Sequence, residues 1–522
     1  MNVLIDLFSF FFILVFSYFS ILGFRLSNKN TINNFKENQC DDFFSGLLIF
    51  LIIGFLFDLL NLNNKFLNLA LLFSGFFLYI FRKRYKNKFL SINIVIFFLL
   101  FSGLLIAKTH EDFNAYHFFA IKDIFNNTLS IGQSNIDIRL SHTSLLAYVQ
   151  TLFILPYFDF KLIHIPIYLI YALTVFYFVE ILLKKKQNIE FCYSLFVLLL
   201  LLIKFTRLSE YGYDYISQFL IFIIFHKIFF YCQNSNEIKK SIIIFFLSVC
   251  IKHVNLIFLP ILFYPYFKNK KNFIFLLDLK LILKIFVICL IIITNSFLRT
   301  GCVFYPLNQT CFENTTVIWS SKKEIGNYDD IVKLWSKGFY HQDKDNLKKI
   351  TDKNKYQKNF NWVPTWIEIH FFYKIFEYII LNIFIILFFF YLSKIEFKKI
   401  FLIFKNKDLI GMKILLLTAL FSWFLLIPQF RFGFSYISIF LIFLFISFIK
   451  NISFDVKKVL TFILIGFFIF NYKNINRIKK ELSRKDQYTY KFFPWFDQNM
   501  KIQKRSKNFK IVKAKNYIIF HK

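Results

Sequence analysis

The chain of 522 residues is 57% hydrophobic, with a mean hydropathy of +0.54, beyond the roughly 45–50% apolar share of a soluble domain. Its formal net charge of +33 would suggest nucleic acid in a soluble protein. Here, however, most Lys and Arg stand between apolar runs, where they set topology and meet anionic lipid headgroups, and no nucleic-acid recognition fold accompanies them.

Nucleic acid is therefore excluded as a partner, and the composition points to an all-α polytopic membrane protein. Apolar runs of about twenty residues, enough to cross roughly 30 Å of hydrocarbon, recur along the chain. The first, MNVLIDLFSFFFILVFSYFS, holds an acid and lacks a basic leader and a small-residue cleavage site, so it reads as a span rather than a removed signal. Runs near 43–60 and 66–81 lead to the block Arg82–Lys88, the strongest cytoplasmic marker in the sequence. A run at 89–107 then carries the polar stretch Lys108–His142 to the extracytoplasmic face.

Residues 144–157 are apolar but short and read as a half-buried, re-entrant segment, which lets 161–183 run inward to Lys184–Lys186. Spans follow at 191–204 and 215–232. Residues 241–267 hold Lys252 and His253 in mid-run with Pro260 and Pro265 behind them, and read as two half-helices that turn back. Span 281–298 leads to the largest hydrophilic segment, 299–366, and spans near 369–392, 409–427, 434–449 and 456–470 close a set of roughly twelve, plus the two broken segments. Residues 1–471 thus form one transmembrane domain. Residues 472–522 form a basic tail, with 15 Lys and Arg against 3 acids from Lys473 onward, placed outside with the N-terminus. The 81 Phe residues read as A/T-rich codon usage rather than an aromatic function.

Four polar clusters share the outer face on this topology. In the first, His110, Glu111, Asp112 and His117 crowd into eight positions. Glu111-Asp112 lies just beyond a span end, where a carboxylate can be partly desolvated yet still reached, as a general base must be. The plainer alternative is a solvated span end or a helix cap. Arg139 and His142 precede the half-helix at 144–157, and a helix N-terminus with a cation beside it favours phosphate. Arg431, just after Pro428, and Lys252 are placed for an anionic headgroup, with interfacial snorkelling as the plainer reading. Glu210 and Asp214 bracket a glycine turn and suit sugar hydroxyls. As metal ligands they lack a third partner, so neither a metal nor another cofactor is expected. Cys302 and Cys311 flank VFYPLNQT and either bridge in an oxidising compartment or remain buried thiols. Nucleotide-binding and hydrolase signatures are absent.

The stretches EDFNAYHFFAIKDI (111–124), NIDIRLSHTS (135–144), LSEYGYDY (208–215), RTGCVFYPL (299–307) and PQFRFG (428–433) resemble a family of bacterial polytopic envelope proteins related to GT-C-type glycosyltransferases. The resemblance implies a GT-C-like fold in the bacterial inner membrane with an extracytoplasmic active face. It implies a polyprenyl-phosphate-linked sugar as donor, a glycan or lipid as acceptor, and membrane lipids as surroundings. Asp112 matches the catalytic acid, with Glu111 as a substitute, while a second acid in another outer loop is represented only by Glu210 or Asp214. Two rivals stand beside it: a transporter or flippase for a lipid-linked glycan, and an O-antigen-like polymerase or ligase using outer Arg and His.

Overall fold

The computed structural model describes residues 3–27, 39–81, 87–105, 112–184, 188–206, 208, 212–268, 278–344, 350–398, 407–483 and 509–521. Residues 82–86 of the basic block, and Lys185 and Lys186, lie outside them. The apolar runs become helices because, away from water, a helix satisfies its backbone groups within one segment. In chain order they open with α1 (Val3–Ser27), α2 (Gln39–Leu59), α3 (Lys65–Phe81) and α4 (Asn87–Leu100). The polar stretch and its apolar continuation supply α5 (Phe118–Asn126), β1 (Leu129–Ile131) and the short α6 (Leu146–Thr151). Next come α7 (Ile165–Lys184), α8 (Ile189–Lys204), α9 (Asp214–Phe230), α10 (Ser235–Ile251), α11 (Tyr264–Lys268) and α12 (Leu279–Thr300). The large hydrophilic segment contains α13 (Lys322–Ser336), α14 (Lys353–Gln357) and α15 (Val363–Trp366), and a π-helical stretch, Ile367–Phe376, continues into α16 (Glu377–Leu392). The chain closes with β2 (Ser393–Phe397), α17 (Lys407–Leu426), α18 (Phe430–Phe448), β3 (Ile449–Phe454), α19 (Val456–Ser483), β4 (Lys510–Lys513) and β5 (Tyr517–His521).

Eight helical stretches among the described residues are long and apolar enough to cross a membrane, so the protein is a helical membrane protein. Burial orders them. The stretch Phe160–Lys184 is 94% buried but Leu279–Thr300 only 33%, which puts α7 at the centre of the bundle and α12 at its rim.

The two ends of α9, about 25 Å apart at 1.5 Å per residue, mark two polar layers. At one end Asp214 meets Lys252 and Arg431. At the other, Lys227 meets Asp41 and Glu237. Helix α10 runs the full distance, from Glu237 in the second layer to Lys252 in the first, where Lys252 leaves helical geometry with φ −152° and ψ 116°. The return leg is a 3₁₀ helix, His253–Phe263, followed by α11. Lys252 is therefore the tip of a hairpin, and the segment turns back as expected, with an α-helical first leg and a largely 3₁₀ return leg. A 3₁₀ helix advances about 2.0 Å per residue, so the short return leg reaches further than an α-helix of the same length.

The short α6 stays at the first end, as a half-buried segment does. Asn68 Nδ2 donates to the carbonyls of Thr151 and Ile154 at 2.9 and 3.0 Å, and the Leu145 amide donates to the Cys250 carbonyl at the α10 tip. The last helix continues past the expected boundary at 471 to Ser483. From the tail, β5 pairs in parallel with β1 and antiparallel with β4, which brings the C-terminus to the first end as well.

The second layer is a buried ion network. Lys227 is 1% exposed, with its Nζ 2.9 Å from Asp41 Oδ1, while Lys240 Nζ lies 3.1 Å from Asp41 Oδ2. Lys227→Met leaves buried carboxylates short of a cation, and we expect it to cost about 3–5 kcal/mol. Thermal unfolding of the purified protein in detergent checks this. The double change with Asp41→Asn should recover most of the loss, and full stability of the single variant would contradict the network.

Candidate functional site

At the first end a cavity of about 1350 Å³ is lined by Asp112, Arg139, His142, Asp214, Lys252 and Arg431, all singled out from the sequence. Outside the cavity lining, Arg299 at the end of α12 ties neighbouring elements together. Arg299 Nε donates to Asn295 Oδ1 at 2.8 Å, one terminal nitrogen donates to Tyr148 Oη at 3.1 Å, and the other donates to Gln133 Oε1. Gln133 in turn donates to Asp123 of α5, so a single buried guanidinium ties the polar stretch to α12 and α6. Gly301 follows with φ +72°, the left-handed geometry that ends many helices. Beyond it Cys302 and Cys311 are disulfide-bonded, and the loop they close contributes Phe304 to Gln309 to the cavity wall.

Asp112 opens the π-helical turn Phe113–His117, and its carboxylate makes no capping bond to that turn. It faces the cavity instead, with Oδ2 3.9 Å from Arg431 Nη1 and its side chain 32% exposed. The helix-cap alternative for this residue is thereby removed. Arg431 Nε lies 3.6 Å from Asp214 Oδ2, and Lys252 Nζ lies 2.8 Å from Asp214 Oδ1. Contacts of 3.6–3.9 Å are ion pairs rather than hydrogen bonds, and Arg431 Nε has no hydrogen-bond partner. The guanidinium is held by charge and by stacking, 5.0 Å from the ring centres of both Trp335 and Phe432. Its helix is fixed close by. A side chain at Gly433 would put its Cβ 2.2 Å from the Trp423 ring, and Trp423 Nε1 donates to the Gln429 carbonyl at 3.0 Å.

The structure adds detail at two of these positions. Arg139 forks onto Asp137, with Nε–Oδ1 at 3.0 Å and Nη2–Oδ2 at 2.7 Å, and stacks over Tyr116. Two of its nitrogens are engaged by Asp137 while the side chain lines the cavity, and at the N-terminus of α6 Ser144 Oγ accepts from the Leu146 amide. Of the cations lining the cavity, Arg431 and Lys252 are the two that meet Asp214. His117 is buried beneath Gly212, against the Tyr213 ring at 4.8 Å, and does not line the cavity; it supports the floor. His110, Glu111 and Glu210 lie outside the described residues.

The remaining wall was not singled out from the sequence. Helix α13 contributes Tyr328, Asp329, Lys333 and Trp335, and the π-helical stretch contributes His370 and Lys374. A signal existed in KKEIGNYDDIVKLWS, where Ile325, Tyr328, Val332 and Trp335 recur at the i, i+3, i+7, i+10 spacing of one helix face. Reading 299–366 as one hydrophilic segment passed over it. Among the described residues no set of three His, Cys, Asp or Glu side chains converges on a metal position.

Residues 4–438 match the model of a family described as a domain of unknown function (DUF8201). Neither the curated proteins nor the solved structures offer a match.

His142 stacks nearly parallel to Tyr328, with ring centres 6.1 Å apart at 6°, and burial, then the charge of Lys252 and the neighbouring His117, hold its pKa well below 6.5. The unfolded chain therefore takes up this proton first. The stability contribution is complete above about pH 6.5 and declines as pH falls below it. With cavity water screening the charge, the effect stays under about 1 kcal/mol per pH unit. His142→Phe should flatten the fall in melting temperature between pH 6.5 and 5, and equal slopes for the two proteins would contradict this assignment.

Proposed function

The chain belongs to the DUF8201 family, and we propose that it is an integral-membrane glycosyltransferase of the GT-C type. Its donor is a polyprenyl-phosphate-linked sugar, and its acceptor is an envelope glycan or lipid on the extracytoplasmic face of the bacterial inner membrane. One observation carries the reading: a carboxylate open to the cavity, Asp112, stands 3.9 Å from a guanidinium with a free donor, and an ammonium lies behind their shared partner Asp214. Asp112 accepts the proton of an acceptor hydroxyl, whose oxygen attacks the anomeric carbon. The bond from that carbon to the phosphate oxygen breaks with inversion, and its electron pair leaves on the phosphate. Arg431 and Lys252 neutralise that charge as it develops. Asp214 positions both cations.

The dimensions support this. A volume of about 1350 Å³ exceeds the 300–1,000 Å³ usual for one small ligand, and suits a donor headgroup and an acceptor together. An apolar side containing Phe205, Phe219, Leu256 and Ile257 suits the lipid. The disulfide suits an oxidising compartment, which favours the cavity end as the outer one. A carrier needs ionisable groups along its path. Instead, α9 places seven buried apolar residues, Phe219–Phe225, between its two charged layers.

Loss of a general base typically costs 10²–10⁴ in rate. Asp112→Asn should therefore abolish restoration of envelope glycans in a deletion strain, while the variant still inserts at normal abundance. Arg431→Gln should slow transfer at least about 10²-fold through loss of leaving-group stabilisation. Parental glycans in the Asp112→Asn strain would overturn the assignment, and retention in that strain combined with loss in Arg431→Gln would favour a polymerase or ligase.

A further inference from the structure

The family match ends at residue 438, yet a strand from far beyond it is built into the cavity end. Strand β5 pairs with β1 in the register Leu129↔Tyr517, Ser130↔Ile518 and Ile131↔Ile519. Asn135 Nδ2 donates to the Phe520 carbonyl, and Asn61 Nδ2 donates to the Asn516 carbonyl, each at 3.0 Å. Gly132, at φ +74°, comes so close that a Cβ there would lie 2.3 Å from the Phe520 carbonyl oxygen. The Phe520 side chain, 8% exposed, completes a small apolar cluster with Ala115, Tyr116, Ala120, Ile136 and Leu140.

That cluster is separate from the main core of the bundle. Tyr116 belongs to the turn that Asp112 opens, and Leu140 lies between Arg139 and His142. Phe520 is thus an apolar side chain from a distant part of the chain that wedges between the acid-bearing turn and the segment carrying two other cavity residues. The segment has other tethers, through Gln133, Ser134 and Asn135 to Arg299, Ser321 and Trp319, but none of these residues belongs to the apolar cluster around Tyr116. We propose that the C-terminal β-hairpin is a strap that positions the Asp112 turn, with Phe520 as the positioning residue, and that this family core depends on it for an ordered site. The catalytic consequence rests on Asp112 being the base; the ordering of residues 113–142 does not.

The test compares the full chain with Phe520→Asp, Phe520→Leu and a chain ended at Asn508, all purified in the same detergent, by amide hydrogen exchange. Exchange across 113–142 should rise at least about tenfold in Phe520→Asp and in the shortened chain, as expected for local opening. Exchange in α7 and α9 should stay unchanged, and Phe520→Leu should stay near the parent. A synthetic peptide of residues 509–522 should restore protection to the shortened chain by strand addition. In transfer, kcat should fall with KM and melting temperature held. Unchanged exchange across 113–142 in Phe520→Asp, or an equal rise in α7 and α9, would overturn the strap; if the shortened chain does not fold, Phe520→Asp decides alone. Predicted exchange in a parent protein that transfers no sugar would contradict the glycosyltransferase reading and leave the strap standing.

Discussion

Charge is costly inside an apolar bundle, and that cost sorts the buried ionisable groups at the two ends of α9 into separate layers. The layers solve the problem differently. Around Lys227 the ions are packed against one another at hydrogen-bonding distance, with Lys227 and Asp41 themselves buried. Around Arg431 the pairs are looser, at 3.6 and 3.9 Å, and face a cavity. A tight network suits holding helices together. A loose one, held by charge and aromatic stacking, leaves a cation ready for another anion.

The same sorting explains the hairpin at Lys252. An ammonium cannot remain at depth unpaired, so α10 runs until Lys252 reaches Asp214 and only there does the chain turn. Asp214 consequently faces two cations, one of them at 2.8 Å, while Asp112 stands 3.9 Å from Arg431 and is 32% exposed. That asymmetry separates a positioning acid from one placed to exchange a proton. The aromatic wall of Tyr305 and Tyr328 around His142 then shapes the space in front of them.

Much of this was legible in the sequence, and the rest was hidden for identifiable reasons. The helices follow directly from apolar runs, and the five motif stretches converge because each supplies either a charge or a close-packed glycine at the cavity end. Gly212 makes room for His117, and Gly433 for Trp423. The pairing of Arg139 with Asp137 was hidden because nothing in a two-residue spacing distinguishes a bidentate pair from two independent charges. His117 and Asp112 look alike in sequence, yet burial separates them. The pairing of β1 with β5 joins residues almost four hundred positions apart, and no local pattern in a basic tail announces a strand partner. Helix α13 was recoverable from its periodicity.

The central claim is that Arg431 and Lys252 receive the phosphate of a lipid-linked donor in front of Asp112. An experimental structure of the full chain with polyprenyl phosphate tests it most directly. Phosphate oxygens should lie about 3 Å from both cations, with the lipid against the apolar side of the cavity and open space before the Asp112 carboxylate. Phosphate bound instead at the Lys227 end, or a continuous water-filled passage joining the two charged layers, would contradict it.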